Sequence, residues 1–348
     1  MACYSALFAI PFLYFATKCI ALNNNLALTP PMGWVSWAAF LCETDCVNHP
    51  NTCISEKLYM EMADRMAADG YLEEGYTFVN MDDCWMAKTR DKNDNPQANQ
   101  TRFPHGILSL ADYMHQKGLN IGIYQNLAWS TCSGNTGTGT SLLDKDANTF
   151  AGWRVDFLRA DACDYDLWWW SLAKTAAQRP GKWNDPDSII VGIYRLTVDQ
   201  SQAQMAIWSI WSAPLIMSND LRNIDEEYKK ILLNRKVIAV DQDPLGIMGR
   251  LIYNTTHFGF YVKPMNPADP QTHDLSYAVV IFNRNPVLQV NASAYCRNQL
   301  RLTHEKGYIM ENLFTDENYG KIVPNSECVI HSLVNPTAVV MLKLTVVT

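Results

Sequence analysis

The chain reads as an α/β protein: a βα-barrel of parallel strands followed by a C-terminal antiparallel β module. Three apolar runs lead to that reading because each stops at acids: Tyr76-Thr-Phe-Val-Asn-Met-Asp82-Asp83, Val155-Asp-Phe-Leu-Arg159-Ala-Asp161 and Trp183-Asn-Asp185-Pro-Asp187. In the first two, β-branched and aromatic residues run for several positions before a helical stretch, as in strands buried on both faces. A lone acid at a strand end serves most often as a helix cap or a turn residue. Several together match the carboxylate rim at the C-terminal face of a βα-barrel. The third observation is a change of pattern near Leu251, after which short alternating runs are separated by Asn and Pro turns.

The elements follow in order. Pro31 to Trp37 reads as the first strand, followed by a cysteine-rich loop. A helix is expected from Ser55 to Gly70, with Ser55-Glu56 at its start and Leu58, Met62 and Met66 at helical spacing. The second strand ends at Asp82-Asp83. A polar loop from Arg90 to Arg102 leads to a helix over Ile107 to Lys117, and Leu119 to Tyr124 is the third strand. A Gly/Thr/Ser-rich loop (Thr131 to Ser141) and a helix from Asp146 to Trp153 feed the fourth strand, which ends at Asp161. Strand-helix alternation repeated in this way argues for parallel pairing. The run Ile189 to Ile193 precedes helices over Gln202 to Ser212 and Asp225 to Leu233. The runs Tyr277 to Phe282 and Ala338 to Leu344 belong to the β module. The expected divisions are 1–21, 22–250 and 251–348.

A net charge of −7 and the absence of a basic run argue against a nucleic-acid surface. Ala6 to Ala16 is apolar, and Cys19-Ile20-Ala21 offers small residues for cleavage after Ala21, so residues 1–21 read as a signal peptide, although a basic n-region is missing. A membrane anchor is the alternative, but the segment is short for a bilayer span, and no other stretch approaches that length. Eight cysteines remain after residue 21, an even number that suits disulfides in an oxidising compartment. Cys42, Cys46 and Cys53 lack the nearby ligands that would complete a zinc site. Sequons at Asn99, Asn254 and Asn291 fit a glycosylated product that is lysosomal or secreted.

Six motifs now become diagnostic: Met-Gly-Trp34-Val-Ser-Trp37, Asp82-Asp83-Cys84-Trp85, Arg102-Phe-Pro-His-Gly106, Trp183-Asn-Asp-Pro-Asp187, Ala213-Pro-Leu-Ile-Met-Ser-Asn-Asp-Leu-Arg222 and Asp241-Gln-Asp-Pro-Leu-Gly246. Together they resemble the eukaryotic α-galactosidase/α-N-acetylgalactosaminidase (melibiase) family. The resemblance implies a (β/α)8-type barrel with a C-terminal antiparallel β-sandwich, and retaining hydrolysis of terminal α-linked galactose or N-acetylgalactosamine. Retention needs two carboxyl groups about 5–5.5 Å apart. The resemblance makes Asp161 the nucleophile, sets Asp82 and Asp83 on the sugar's O4 and O6 hydroxyls, packs Trp37 against the sugar and puts Tyr124 in the same pocket. It also brings Arg159 and Asp187 to the substrate. Its disulfides map to Cys42–Cys84, Cys46–Cys53 and Cys132–Cys163, which leaves Cys296–Cys328 by elimination. Homodimers are common in the family, and no cofactor or metal is implied.

The chain also departs from the pattern. Only 23 residues separate Asp161 from Asp185, where the family has two further βα units holding the acid/base Asp, the Arg on the sugar's O2 and the loop that selects the sugar. The barrel is therefore expected to be short of about two βα units, with no acid/base identified. Asp185 and Asp187 are candidate surrogates, and Asp185 is otherwise expected to cap its Pro-Asp turn. Arg159 stands where the family has a sugar-binding Lys, and the two are not interchangeable. Asn126 and Ser188 also depart from the family's residues. A noncatalytic galactoside-binding relative, or a truncated splice or gene-model product, is the alternative to an active glycosidase.

Overall fold

The computed structural model describes residues 24–161 and 178–348. The signal-peptide reading, Cys163 and the Trp168-Trp169-Trp170 run lie outside them. Strands β1 (Met32–Val35), β2 (Phe78–Met81), β3 (Asn120–Asn126), β4 (Phe157–Asp161) and β5 (Leu215–Met217) form a parallel sheet in the order β4-β3-β2-β1-β5. Beyond β5, Ile189 makes a parallel bridge to Met217. Six of the eight barrel positions are thus accounted for among the described residues. The sheet curls as a half-barrel between β4 and Ile189.

Register sets what faces inward. Gly122 pairs with Phe157, Tyr124 with Arg159 and Asn126 with Asp161, so the side chains of alternate residues share the concave face. Gly122 is required at its position: a Cβ there would lie 1.9 Å from Asn80 Oδ1 and 3.2 Å from the Phe157 ring. On the convex side, Val79, Ile121 and Ile123 are buried, whereas Leu158 on β4 is 44% exposed. That contrast marks β4 as the uncovered edge of the sheet.

The first helices carry out the sequence pattern. α1 (Trp37–Phe40) is a single turn. α2 (Glu56–Ala68) is capped by Ser55, which accepts from the Leu58 N–H at 3.4 Å, and it buries Leu58, Tyr59, Met62, Ala63 and Met66. Truncating a residue such as Met62 to Ala would cost about 2–5 kcal/mol. α3 (Gly106–Gln116) follows the expected span. α4 (Leu143–Gly152) starts a turn earlier than its apolar spacing suggests, because Asp144 and Asp146 suit the positive end of the helix. α5 (Val198–Trp211) also starts early, at a Thr197/Gln200 capping box. α6 (Glu226–Leu232) and α7 (Arg235–Asp241) complete the barrel layer.

The C-terminal module holds β6 (Arg250–Asn254), β7 (Phe258–Ala268), β8 (Leu275–Asn283), β9 (Val290–Tyr295), β10 (Tyr308–Asn312), β11 (Asn318–Ile322), β12 (Val329–Val334) and β13 (Val339–Val346). Six of these form an antiparallel sheet, β11-β10-β13-β8-β7-β6, and β12 pairs with β9 as a separate ribbon. The large sheet divides its side chains between two cores. Val279 and Ile281 pack with Ala292, Ala294 and Ile330 of the ribbon, while Ala278 and Val280 join the barrel core. Burial on both faces is why the β8 run from Tyr277 to Phe282, expected to alternate, is apolar throughout. At the seam, the fully buried Lys263 donates to Ser212 Oγ and to the Val240 carbonyl, each at 2.5 Å.

Candidate active site

Asp82, Asp83 and Asp161 collect at the C-terminal ends of the parallel strands, whereas Asp185 and Asp187, expected to close a third apolar run, precede Ile189, the residue that bridges β5. Asp82 and Asp83 follow β2, and Asp161 closes β4. Tyr124 reaches across from β3, and its hydroxyl donates to Asp161 Oδ2 at 2.9 Å. Burial, and then the Asp161 carboxylate, push the Tyr124 phenol well up, so it stays a donor. A fixed donor on one carboxylate oxygen orients the group, as a nucleophile requires.

Arg159 sits on the concave face between these acids. It donates to Asp82 Oδ2, and its other nitrogen lies 3.7 Å from Asp187 Oδ1. Burial raises the Asp82 carboxyl, and the nearby Arg159 charge offsets part of that shift. The interior beside Arg159 is a cavity of about 70 Å³ lined by Val35, Asn80, Phe157, Asp185 and Asp187 among others. Ligand pockets usually run to roughly 300–1,000 Å³, so a sugar on this face would have to displace the guanidinium. A much larger cleft, about 620 Å³, lies at the opposite end of the sheet against Leu28, Met32, Asn120 and Asp156.

Asp83 takes a different part. It is buried, and it accepts from the Cys84 N–H at 2.6 Å, the Ser133 N–H at 3.2 Å and Asn135 Nδ2 at 3.2 Å. Its carboxyl thus holds the Gly-rich loop over the rim. Asp185 accepts from the Asp187 N–H at 2.8 Å, which is the turn cap expected of it. Asp185 is exposed, yet desolvation by nearby protein raises its pKa, against the pull of the Asp187 N–H and Arg159. Asp187 is exposed, accepts from Ser188 and adopts φ 80°, a conformation acidic residues tolerate better than most. Trp37, half-buried, opens α1 beside the rim.

Sequence reasoning missed the group that anchors β1 to β2. Ser36 Oγ bonds the Tyr59 hydroxyl at 2.9 Å and accepts from the Asp82 N–H at 3.3 Å. Its signal was present, since Ser36 lies inside the Trp34-to-Trp37 motif. Disulfides join Cys42 to Cys84, Cys46 to Cys53 and Cys296 to Cys328. Cys132 is also disulfide-bonded, and its expected partner Cys163 lies outside the described residues. Among the described residues, no group of three or more His, Cys, Asp or Glu side chains is arranged to hold a metal. No helix of the described residues is long and apolar enough to cross a membrane.

A parallel half-barrel with carboxylates at its rim and an antiparallel β module behind it is the architecture of a barrel glycoside hydrolase. The profile of the melibiase family, described as alpha galactosidase A, matches residues 29–174 and 171–243. The α-N-acetylgalactosaminidase of Gallus gallus is 35% identical over 399 residues, covering 92% of this chain and 94% of that protein. The α-galactosidase A of Homo sapiens is 35% identical over 337 residues, 77% of each chain. Among solved structures, α-galactosidase I from Mortierella vinacea superposes with a TM-score of 0.81 at 22% identity, covering 93% of this chain and 98% of that one. The chain belongs to the melibiase family of α-galactosidases and α-N-acetylgalactosaminidases. The alignment with the Gallus gallus enzyme runs to 399 positions against 348 residues here, so that enzyme carries sequence with no counterpart in this chain. The family match divides at 171–174, inside the short stretch between Asp161 and Asp185.

Proposed function

We propose that this chain is an α-galactoside-directed glycosidase in which Asp161 is the retaining nucleophile and no described residue is assigned as general acid. The observation that carries the reading is the 2.9 Å hydrogen bond from Tyr124 to Asp161 at the rim. In the proposed reaction an Asp161 oxygen attacks the anomeric carbon, the bond to the leaving group breaks, and water then releases the sugar with retained configuration. Without a general acid, poor leaving groups lose roughly 10²–10⁴ in rate, so turnover is confined to substrates with good ones. The glycans it recognises end in α-linked galactose or N-acetylgalactosamine. The disulfides support an oxidising compartment, and the lysosome or secretion, with a homodimer as the working form, completes the proposal.

A second reading is favoured by one contact. Arg159, paired with Asp82 and near Asp187, fills the concave face, as in a relative that binds galactosides weakly or a shortened product that does not turn over. Fluoride release from α-galactosyl fluoride separates the two, since that leaving group needs little acid help. Release that vanishes in Asp161→Ala supports the nucleophile. Release that persists in Asp161→Ala, or none from a folded wild-type chain, overturns it.

A further inference from the structure

Trp129 stands apart from the other tryptophans. Among the described residues it is the only tryptophan that lies mainly in solvent, at 68% exposed, whereas Trp34 and Trp85 are fully buried. Tryptophan is highly buried on average, so an exposed one asks for a reason. It sits on the hairpin that follows β3, where Ser130 bridges Thr136 and the Trp129 and Ala128 carbonyls accept from the Gly137 and Gly139 N–H groups, each at 3.0 Å. The indole lies flat on this hairpin. A Cβ at Gly139 would fall 2.6 Å from Cε3, 2.7 Å from Cζ3 and 2.8 Å from Cδ2 of the ring, so only glycine leaves room beneath that face. The other face is left to solvent. The hairpin itself is tied to the rim, since Asp83 accepts from the Ser133 N–H and from Asn135, and Arg90 donates to the Gly137 carbonyl at 3.0 Å.

We infer that Trp129 is a stacking platform for the second sugar ring of the glycan, the one joined to the terminal galactose on its leaving-group side. This rests on the reading of Asp161 as the nucleophile. Cys132 Sγ lies 3.5 Å from Asp161 Oδ2, and three residues of even fully extended chain span only about 10 Å. Trp129 therefore stands within reach of the ring next to the one that Asp161 attacks. Because the terminal sugar fills the site, every further ring of the glycan lies outward, past the rim that carries this hairpin. A pyranose shows C–H groups on its faces and hydroxyls around its edge. The indole suits the first. Ser130, Ser133, Thr140 and Ser141, all exposed on the same loop, suit the second. Leu127 is the other large apolar side chain exposed on the hairpin, at 36%, which is too little apolar surface for a protein partner to dock on.

The test uses the full chain carrying Asp161→Asn, so that no probe is consumed. Melibiose, a galactose α-linked to glucose, and methyl α-galactoside are titrated, with binding followed by saturation transfer to the sugar protons. Melibiose, which has the second ring, is expected to bind about tenfold tighter, and its glucose C–H protons to receive saturation. Adding Trp129→Ala should bring the two probes to equal affinity and remove the transfer to glucose. Trp129→Tyr, which keeps an aromatic face, should retain most of both. Equal affinities before Trp129 is changed, a preference that survives Trp129→Ala, or one lost equally in Trp129→Tyr overturns the proposal, as does failure of both probes to bind. Fluoride release from α-galactosyl fluoride judges Asp161 on a substrate without a second ring, so the nucleophile and the platform can each fail without the other.

Discussion

Arg159 approaches Asp187 to 3.7 Å across the open side of the half-barrel, joining β4 to the segment that bridges β5. An intact barrel would close this gap with backbone hydrogen bonds between strands. Here a forked side chain spans it, reaching Asp82 with one nitrogen and Asp187 with another. A compact ammonium could not serve both.

Removing this bridge should have unequal consequences at its two ends. Asp82 is buried, so Arg159→Ala leaves an uncompensated carboxylate and is expected to lower stability by about 3 kcal/mol. Asp187 is exposed, and Asp187→Asn should cost less than about 1 kcal/mol. Urea unfolding of the two variants checks this. Equal losses would show that the bridge, and not the burial of Asp82, governs the effect.

Tyr124→Phe removes the donor that orients Asp161 while keeping the ring. Fluoride release from α-galactosyl fluoride should fall about tenfold, on the order of 1.4 kcal/mol in the barrier. The fall should appear in kcat with KM nearly unchanged, because the bond steers attack more than binding. A change confined to KM would make Tyr124 a binding residue.

The β module should be stabilised by acid. His304 is buried with Nδ1 2.8 Å from Asp274 and Nε2 2.8 Å from the Val347 carbonyl, so acceptors face both ring nitrogens. Burial opposes the ring's charge, but the bonds to Asp274 and Val347 and the fields of Asp274 and Asp269 outweigh it, and the pKa is raised. Lys306 faces Asp269 at 3.9 Å from the same side, and the Tyr308 ring packs edge-on against the imidazole. A folded pKa above the unfolded value of about 6.5 means that the stabilisation is fully present below that value and is lost as pH rises through the folded one. Thermal melts should therefore show a stability decrease above about pH 6.5 that is absent in His304→Gln. An unchanged profile in the variant would assign the decrease to other groups.

Lys263 ties the two cores together. Burial pulls its ammonium down to about 8, against the fields of Asp241 and Asp243. Lys263→Met should keep the packing of the stem but strand Ser212, the Val240 carbonyl and buried Asp241, costing about 3 kcal/mol. The expected readout is a denaturation curve that loses its single step, as the β module and barrel unfold apart. A single transition of unchanged midpoint would show that apolar packing alone docks the module.

Much of the fold was legible because it rests on local pattern. The Ser55 cap, the Leu58-Met62-Met66 stripe and the apolar runs ending at Asp83 and Asp161 each announce one element. The early starts of α4 and α5 were not seen, although Asp144 and the Thr197-to-Gln200 box were there to be read. The split of β8 between two cores was hidden for a different reason. A strand buried on both faces looks the same whichever layers cover it. At the site, the acids could be named from motifs, but their partners could not. That Asp83 secures the loop at Ser133 and Asn135, while Asp82 faces Arg159, depends on contacts 50 or more positions apart.

The order of chemical groups along the chain therefore settled the family, the strand-end carboxylates and the shortfall between Asp161 and Asp185. These are matters of residue identity and spacing, which a linear text records in full. Only the tertiary structure decided that Arg159 occupies the concave face beside Asp82 and that Tyr124 holds Asp161. Each is a pairing set by strand register and sheet curvature. A shift of one residue in register would turn these side chains to the other face while leaving the sequence unaltered.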